Sequence, residues 1–289
     1  MLSCYVVEIT TPKKYLLNGL WFGPKKPKNA IIFIHGLTAS AFSMKRMVAA
    51  LINKDTAVMT FNNRGFEKIT EIKRKRGRKT EWVLAGATHE VFAECADDIQ
   101  GAVNFARRVG AKSIYLAGHS TGCQKAFYWA SRKGTRGAKG IILFGPLSDY
   151  AIAIEQDRGG KLARSVAYAK KLVHAGKPRT LMPEHLGMWF PCDAQRFLSL
   201  HTPDSAEEVF PYGQRNKKPR VLASVSIPTL ALLAGNDEHT KKPAKEIATW
   251  FKRHLQKGTV VIIPRVKHSF HGGEKQVAAE IRRWINLTE

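Results

Sequence analysis

Three observations predict an α/β architecture, with a mostly parallel sheet, helices on its faces and a mostly helical insertion late in the chain. Apolar runs such as Ala30-Ile31-Ile32-Phe33-Ile34 and Gly140-Ile141-Ile142-Leu143-Phe144 read as strands buried on both faces, as in parallel sheets, and helical patterns separate them. The pentapeptide Gly118-His119-Ser120-Thr121-Gly122 joins the β-type run Ser113-Ile114-Tyr115-Leu116-Ala117 to a helical run beginning at Cys123. A candidate serine, carboxylate and histidine occur in that order, each just beyond a predicted strand.

Length and composition bound the answer. A chain of 289 residues suits one α/β domain with an elaborated cap, or at most two domains. Lys and Arg number 47 against 23 Asp and Glu, a net charge of +24 that sets a positive field over the surface. No nucleic-acid motif accompanies the charge, so nucleic acid is not an expected partner; weak binding to an anionic surface stays open. No apolar run approaches the roughly 20 residues that cross a bilayer. The start, Met1 to Glu8, alternates like a strand and lacks the regions of a signal peptide. Cys4, Cys95, Cys123 and Cys192 are scattered, which suggests free thiols, a cytoplasmic location and no cysteine metal site.

Cys4 to Ile9 and Tyr15 to Phe22 read as opening strands, turning at Thr11-Pro12-Lys13-Lys14. Strand Ala30 to Ile34 ends in His35-Gly36-Leu37-Thr38. Met44, Met47, Val48 and Leu51 mark a helix over Phe42 to Ile52. Strand Thr56 to Phe61 ends in the turn Asn62-Asn63-Arg64-Gly65. The like-charged block Lys73-Arg74-Lys75-Arg76-Gly77-Arg78-Lys79 reads as a solvated surface loop, with phosphate or membrane contact as its functional alternative. A helix is predicted from near Thr88 to Val109, stopped by Gly110. After strand Gly140 to Phe144 the rhythm changes. Leu162, Val166, Ala169 and Val173 share a helical face, and Pro178, Pro183, Pro191, Pro203 and Pro211 punctuate the rest. This predicts a helical cap over 147–224, with 1–146 and 225–289 forming the core domain. Strands Pro228 to Leu233 and Thr259 to Ile263 follow, with helices from Lys241 to Leu255 and Glu274 to Ile285.

The chemistry follows from the strand ends. A serine on a sharp strand-to-helix turn needs glycines at Gly118 and Gly122, where side chains would meet neighbouring backbone. Its hydroxyl needs a base, and His268 lies just past the last strand, with His271 as competitor. The base needs an orienting carboxylate: Asp237 is preferred over the adjacent Glu238, and helix capping is the plain alternative for either. Backbone N–H groups of Leu37 and Thr121 are the candidate oxyanion donors. His35 is expected to hydrogen-bond loop backbone.

On His35-Gly36, Gly118-His119-Ser120-Thr121-Gly122, Gly235-Asn236-Asp237-Glu238 and His268, the chain resembles the α/β-hydrolase superfamily over nearly its whole length. The extended Gly118-His119-Ser120-Thr121-Gly122-Cys123-Gln124 is similar to a poorly characterised esterase-like group. The resemblance implies an eight-stranded, mostly parallel sheet with the cap inserted after the sixth strand, no cofactor and an acyl-enzyme mechanism. Two departures stand out: a short acid loop, with Asp237 two residues after Gly235, and Asn62-Asn63-Arg64-Gly65 in place of Asp-x-Arg-Gly. The expected activity is hydrolysis of carboxylic esters, small or polymeric, by Ser120, His268 and Asp237. Met188, Trp189 and Phe190, with Phe197 and Leu198 nearby, are candidates for an apolar substrate pocket, packing of cap on core being their alternative. Thioesterase, lactonase, amidase or acyltransferase chemistry fits the same residues. A non-catalytic binding protein using its basic surface for an anionic partner is the rival class. Oligomeric state is not readable.

Overall fold

The computed structural model describes residues 3–134 and 137–288. Met1 and Leu2, at the head of the alternating start, lie outside the described residues. β1 (Cys4–Thr10) and β2 (Tyr15–Phe22) form an antiparallel hairpin. There follow β3 (Asn29–Ile34), α1 (Lys45–Leu51), β4 (Thr56–Phe61), β5 (Thr70–Arg76), β6 (Lys79–Ala85), α2 (Cys95–Arg108), β7 (Ser113–His119) and α3 (Thr121–Lys133). β8 (Gly140–Phe144) precedes α4 (Asp149–Gln156), α5 (Lys161–His174), α6 (Ala194–His201) and the short α7 (Arg220–Ala223). β9 (Thr229–Ala234), α8 (Ala244–His254), β10 (Gly258–Ile263) and α9 (Glu274–Thr288) close the chain.

The strands lie side by side as β10-β9-β8-β7-β3-β4-β2-β5-β6, with β1 paired to β2. Neighbours from β10 to β4 are parallel. Strand periodicity divides the core in two. Ile32, Ile34 and Leu116 pack with Phe127 on one face, while Ile31, Phe33, Tyr115 and Ala117 pack with Trp284 on the other. Each Ile, Leu or Phe among them contributes on the order of 1.5–3 kcal/mol on burial. The parallel core and flanking helices are those of the α/β-hydrolase fold.

Among the described residues the sheet has ten strands rather than eight. The extra pair, β5 and β6, occupies the basic block expected as a loop, which turns at Gly77 (φ 63°). Alternation hides it: Ile72 is buried while its basic neighbours face solvent, and Arg74 and Arg76 both lie near Glu81 across the hairpin. Arg74 faces Tyr15 of β2, whereas β4 ends at Phe61 opposite Gly19. The hairpin therefore projects beyond the carboxyl edge of the parallel strands.

The helix expected from Thr88 begins only at Cys95. Two 3-10 turns, Ala87–His89 and Phe92–Glu94, precede it. Glu90 between them is extended and turns its carboxylate inward, to Lys125 Nζ at 2.5 Å and Arg196 at 2.9 Å. Between β8 and β9 the regular elements are helices, but irregular connections make up more than half of the segment, so the expected mostly helical insertion is only partly helical. Ala169, Met182, Phe190, Cys192, Ala194 and Phe197 build a small core there. Further on, Val209, Phe210 and Leu222 pack instead into the large core beside Phe127 and Phe251. All four cysteines are free thiols, and only Cys4 is exposed. Among the described residues no helix is long and apolar enough to cross a membrane.

Candidate active site

The turn from β7 into α3 holds Ser120 at φ 54° and ψ −125°. A non-glycine residue there carries strain on the order of 1–3 kcal/mol, which the surrounding packing must hold. That packing explains the glycines. A Cβ on Gly118 would run into the Gly122 carbonyl, and one on Gly122 into the Ile34 carbonyl. A Cβ on Gly36 would stand 3.0 Å from Ser120 Cβ, so the loop after β3 closes against the serine. The Ser120 N–H donates to Phe144 O at 3.0 Å, tying the turn to the end of β8.

His268 lies on the loop after β10, its side chain 7% exposed. Its Nδ1 stands 2.8 Å from Asp237 Oδ2, and its backbone N–H donates to Glu238 Oε2 at 2.8 Å. The two neighbouring acids thus divide the residue, one taking the ring and the other the main chain. His268 Nε2 is shut from solvent without a hydrogen-bond partner. The ring lies between two others, His119 at 4.8 Å and His239 at 4.6 Å between centroids. Gly145 adjoins it: at φ +58°, a Cβ there would come within 2.9 Å of His268 Cε1 and Nδ1. His271, the competing base, instead sits exposed beside Arg46 and Glu274.

Electrostatics follows these contacts. Burial opposes ionisation of Asp237, but the His268 ring and the His239 N–H outweigh it and hold the carboxyl below the usual aspartate range. Burial likewise opposes ionisation of Glu238, and the His268 N–H more than compensates. Burial, then the charge of His268, lowers His119 to about 4. Burial, then Lys125, lowers His35 to about 3; its Nδ1 lies 2.9 Å from Gly36 O, the loop-backbone role expected of it.

Ser120, His268, Leu37 and Thr121 line one cavity of about 460 Å³. Met188 and Trp189 line it too, Trp189 largely exposed at its mouth. Phe190 does not: it is buried in the small core with Phe197, edge-on to Trp189 at 4.9 Å, so its expected place in the pocket gives way to packing. Leu147, Asp149, Ile152, His201 and His239 also line the cavity and were not anticipated. Asp149 had a signal, since it follows the end of a buried strand; His201 had none, because it comes from a distant helix.

No curated protein sequence matches the chain. Among solved structures, the siderophore hydrolase EstB from Aspergillus fumigatus is similar at 14% identity and a TM-score of 0.67, covering 100% of this chain and 99% of that one. Est1E from Butyrivibrio proteoclasticus is similar at 14% identity and TM-score 0.60, covering 98% of each chain. A thermophilic esterase from Thermogutta terrifontis is similar at 21% identity and TM-score 0.59, covering 98% of this chain and 99% of that one. These likenesses bear on the fold. Residues 85–286, from the end of β6 to α9, match the family described as "Protein of unknown function (DUF1749)". With well over half its length so matched, and the strand order and serine turn already described, this chain is a member of the DUF1749 family, built on the α/β-hydrolase fold.

Proposed function

We propose that this protein is a serine hydrolase of small carboxylic esters, acting through an acyl-enzyme. The observation that carries the reading is the pairing of His268 Nδ1 with Asp237 at 2.8 Å while Nε2, unpartnered, shares a cavity with Ser120. In this reading Ser120 Oγ attacks the ester carbonyl as His268 Nε2 takes its proton. Asp237 keeps the imidazole in the tautomer with hydrogen on Nδ1 and offsets the imidazolium charge. The N–H groups of Leu37 and Thr121 receive the developing oxyanion; each such donor typically contributes ~3 kcal/mol. Collapse of the tetrahedral intermediate expels the alcohol, protonated by His268. Water, deprotonated by the same ring, then releases the acid.

The esterase and hydrolase names among the structural neighbours agree with this reading. Residues 147–224 act as a cap in it, with Met188 and Trp189 on the substrate side. Leu37, Leu147, Ile152 and Ala153 make the remaining cavity surface partly apolar, suited to an acyl or aryl group.

A fluorophosphonate probe, located by mass spectrometry, should label Ser120 in the wild type and nothing in Ser120→Ala. The same variant should lose at least about a thousandfold in kcat on aryl esters with an unchanged melting curve. Retained turnover, or label on another residue, overturns the assignment.

A further inference from the structure

The cavity carries polar groups for which ester cleavage has no use. Asp149 opens α4 directly after its N-cap Ser148, and its Oδ2 accepts from Gln124 Nε2 of α3 at 2.8 Å. No cation among the described residues lies within ion-pair distance of it. The cations nearby are committed: Lys125 to Glu90, and Arg196 to both Glu90 and Glu207. Those two cations and two acids balance. Neither Asp149 nor Glu208 has a cation within ion-pair distance among the described residues; Glu208 is held by Ser148 Oγ at 2.6 Å, Gln214 Nε2 at 3.0 Å and the Tyr150 N–H, with Lys217 acting from further off.

His201, at the end of α6, lines the same cavity. Its Nδ1 is shut from solvent and has no partner. Burial, and then Arg196, lowers the ring to about 4, so at neutral pH it is an uncharged imidazole with a lone pair to offer.

We propose that Asp149 and His201 form a subsite for a cationic group, an alkylammonium borne by the acyl or alcohol part of the substrate. An ammonium supplies donors to both acceptors and the charge that this wall lacks. An anion would find the nearby cations, Lys125 and Arg196, already paired, and a purely apolar group would leave His201 Nδ1 unsatisfied, a cost of about 1–3 kcal/mol.

The subsite also has a pH signature. Burial, with Glu207 and Glu208 behind it, pushes Asp149 up to about 8; Arg196 of α6 works in the opposite direction. Tyr212 on the following loop is also near, its hydroxyl pushed up by burial and donated to from the Ser148 N–H. Asp149 is therefore mostly protonated at neutral pH. An arriving ammonium favours the carboxylate, so binding below about pH 8 displaces a proton, and preference for the cation rises as pH rises through that value.

The substrate part of this inference rests on the proposed ester hydrolysis, and the test separates the two. The readout is the ratio of kcat/KM for the aryl ester of an ω-amino acid to that for its isosteric alkanoate, in which methyl replaces ammonium. The ratio should rise with pH through about 8 in the wild type and fall at least tenfold in Asp149→Asn. A ratio that Asp149→Asn leaves unchanged makes Asp149 a structural partner of Gln124 and overturns the subsite. Calorimetry on Ser120→Ala supplies a second arm that needs neither turnover nor a folded Asp149 variant. Hexylammonium should bind more tightly than hexanol and release a proton at neutral pH. Equal affinity, or no proton release, overturns the subsite even if esters are cleaved; tight hexylammonium binding with no ester cleaved supports the subsite and sinks the hydrolase reading.

Discussion

His268 is held from several sides by short-range contacts, and each makes a different demand. Gly145 demands the absence of a side chain: its φ of +58° and the 2.9 Å separation from the imidazole leave no room for a methyl group. Gly145→Ala should push the ring away from Ser120 and cost kcat heavily, on the order of a hundredfold for an ångström-scale misplacement. Steady-state kinetics beside a thermal melt checks this; a loss matched by unfolding would mean that the strain is global. The two acids make opposite demands. Asp237→Asn should mis-set the tautomer and cost up to about four orders of magnitude in kcat. Glu238→Gln keeps an oxygen for the His268 N–H and should stay within about tenfold, since a neutral acceptor only weakens one hydrogen bond. The reverse ranking of the two variants would make Glu238 the orienting acid. Asp237 could not be separated from Glu238 in the sequence because adjacent residues at a strand end have equal access to the loop above. Their division of labour depends on how the 264–268 loop presents its ring and its amide.

At the scale of elements, Glu90 joins parts of the chain that lie far apart in sequence. It lies between the 3-10 turns, pairs with Lys125 of α3, the helix that Ser120 caps, and reaches Arg196 of α6. Burial opposes its ionisation, but Lys125 and Arg196 prevail and lower it to about 2. Glu90→Gln leaves buried cations short of a counter-charge and should cost about 3–5 kcal/mol in urea unfolding. The linkage sign is that of a depressed carboxylate. Its stabilisation is complete above the ordinary value of 4.5 and fades as pH falls toward about 2. Asp98, pushed by burial up to about 6, works the other way, its folded form holding a proton more tightly. The wild type minus Glu90→Gln difference isolates the first effect, and it should shrink between roughly pH 5 and 2. A pH-independent difference would show that Glu90 acts by shape and not by charge.

The whole molecule combines a strong positive charge with a site set away from its densest basic feature. The β5–β6 hairpin lies beyond β3, β4 and β2 from β7, the strand that leads into Ser120, about 19 Å at the usual strand spacing. Lys73 covers the half-exposed Trp82 ring at 5.0 Å, so charge and aromatic surface occur together. Replacing Lys73, Arg74, Lys75 and Arg76 by Gln should leave kcat on a neutral short ester within about twofold, since surface charges this distant are screened. Any binding to anionic vesicles should weaken and lose part of its salt dependence. A collapse of kcat on the neutral ester would place the hairpin in the site's machinery.

The parallel core, the turn around Ser120 and the candidate positions at strand ends were legible in the sequence. Each is encoded within a few residues: an apolar run buried on both faces, glycines where backbone crowds backbone, a polar group where a strand stops. Tertiary structure alone decided the rest. The basic block became a hairpin because Ile72 finds the core and β2 offers an edge, while the charges disguise the alternation. Phe190 turned inward and Trp189 outward because α5 and α6 supply a second small core for one ring only. Asp149 and His201 meet one cavity from helices that no local pattern aligns, and Glu90 leaves its predicted helix for cations at Lys125 and Arg196. Local sterics and periodicity act along the chain and can be read there; which charge meets which, and what a cavity wall presents, depends on residues brought together only by folding.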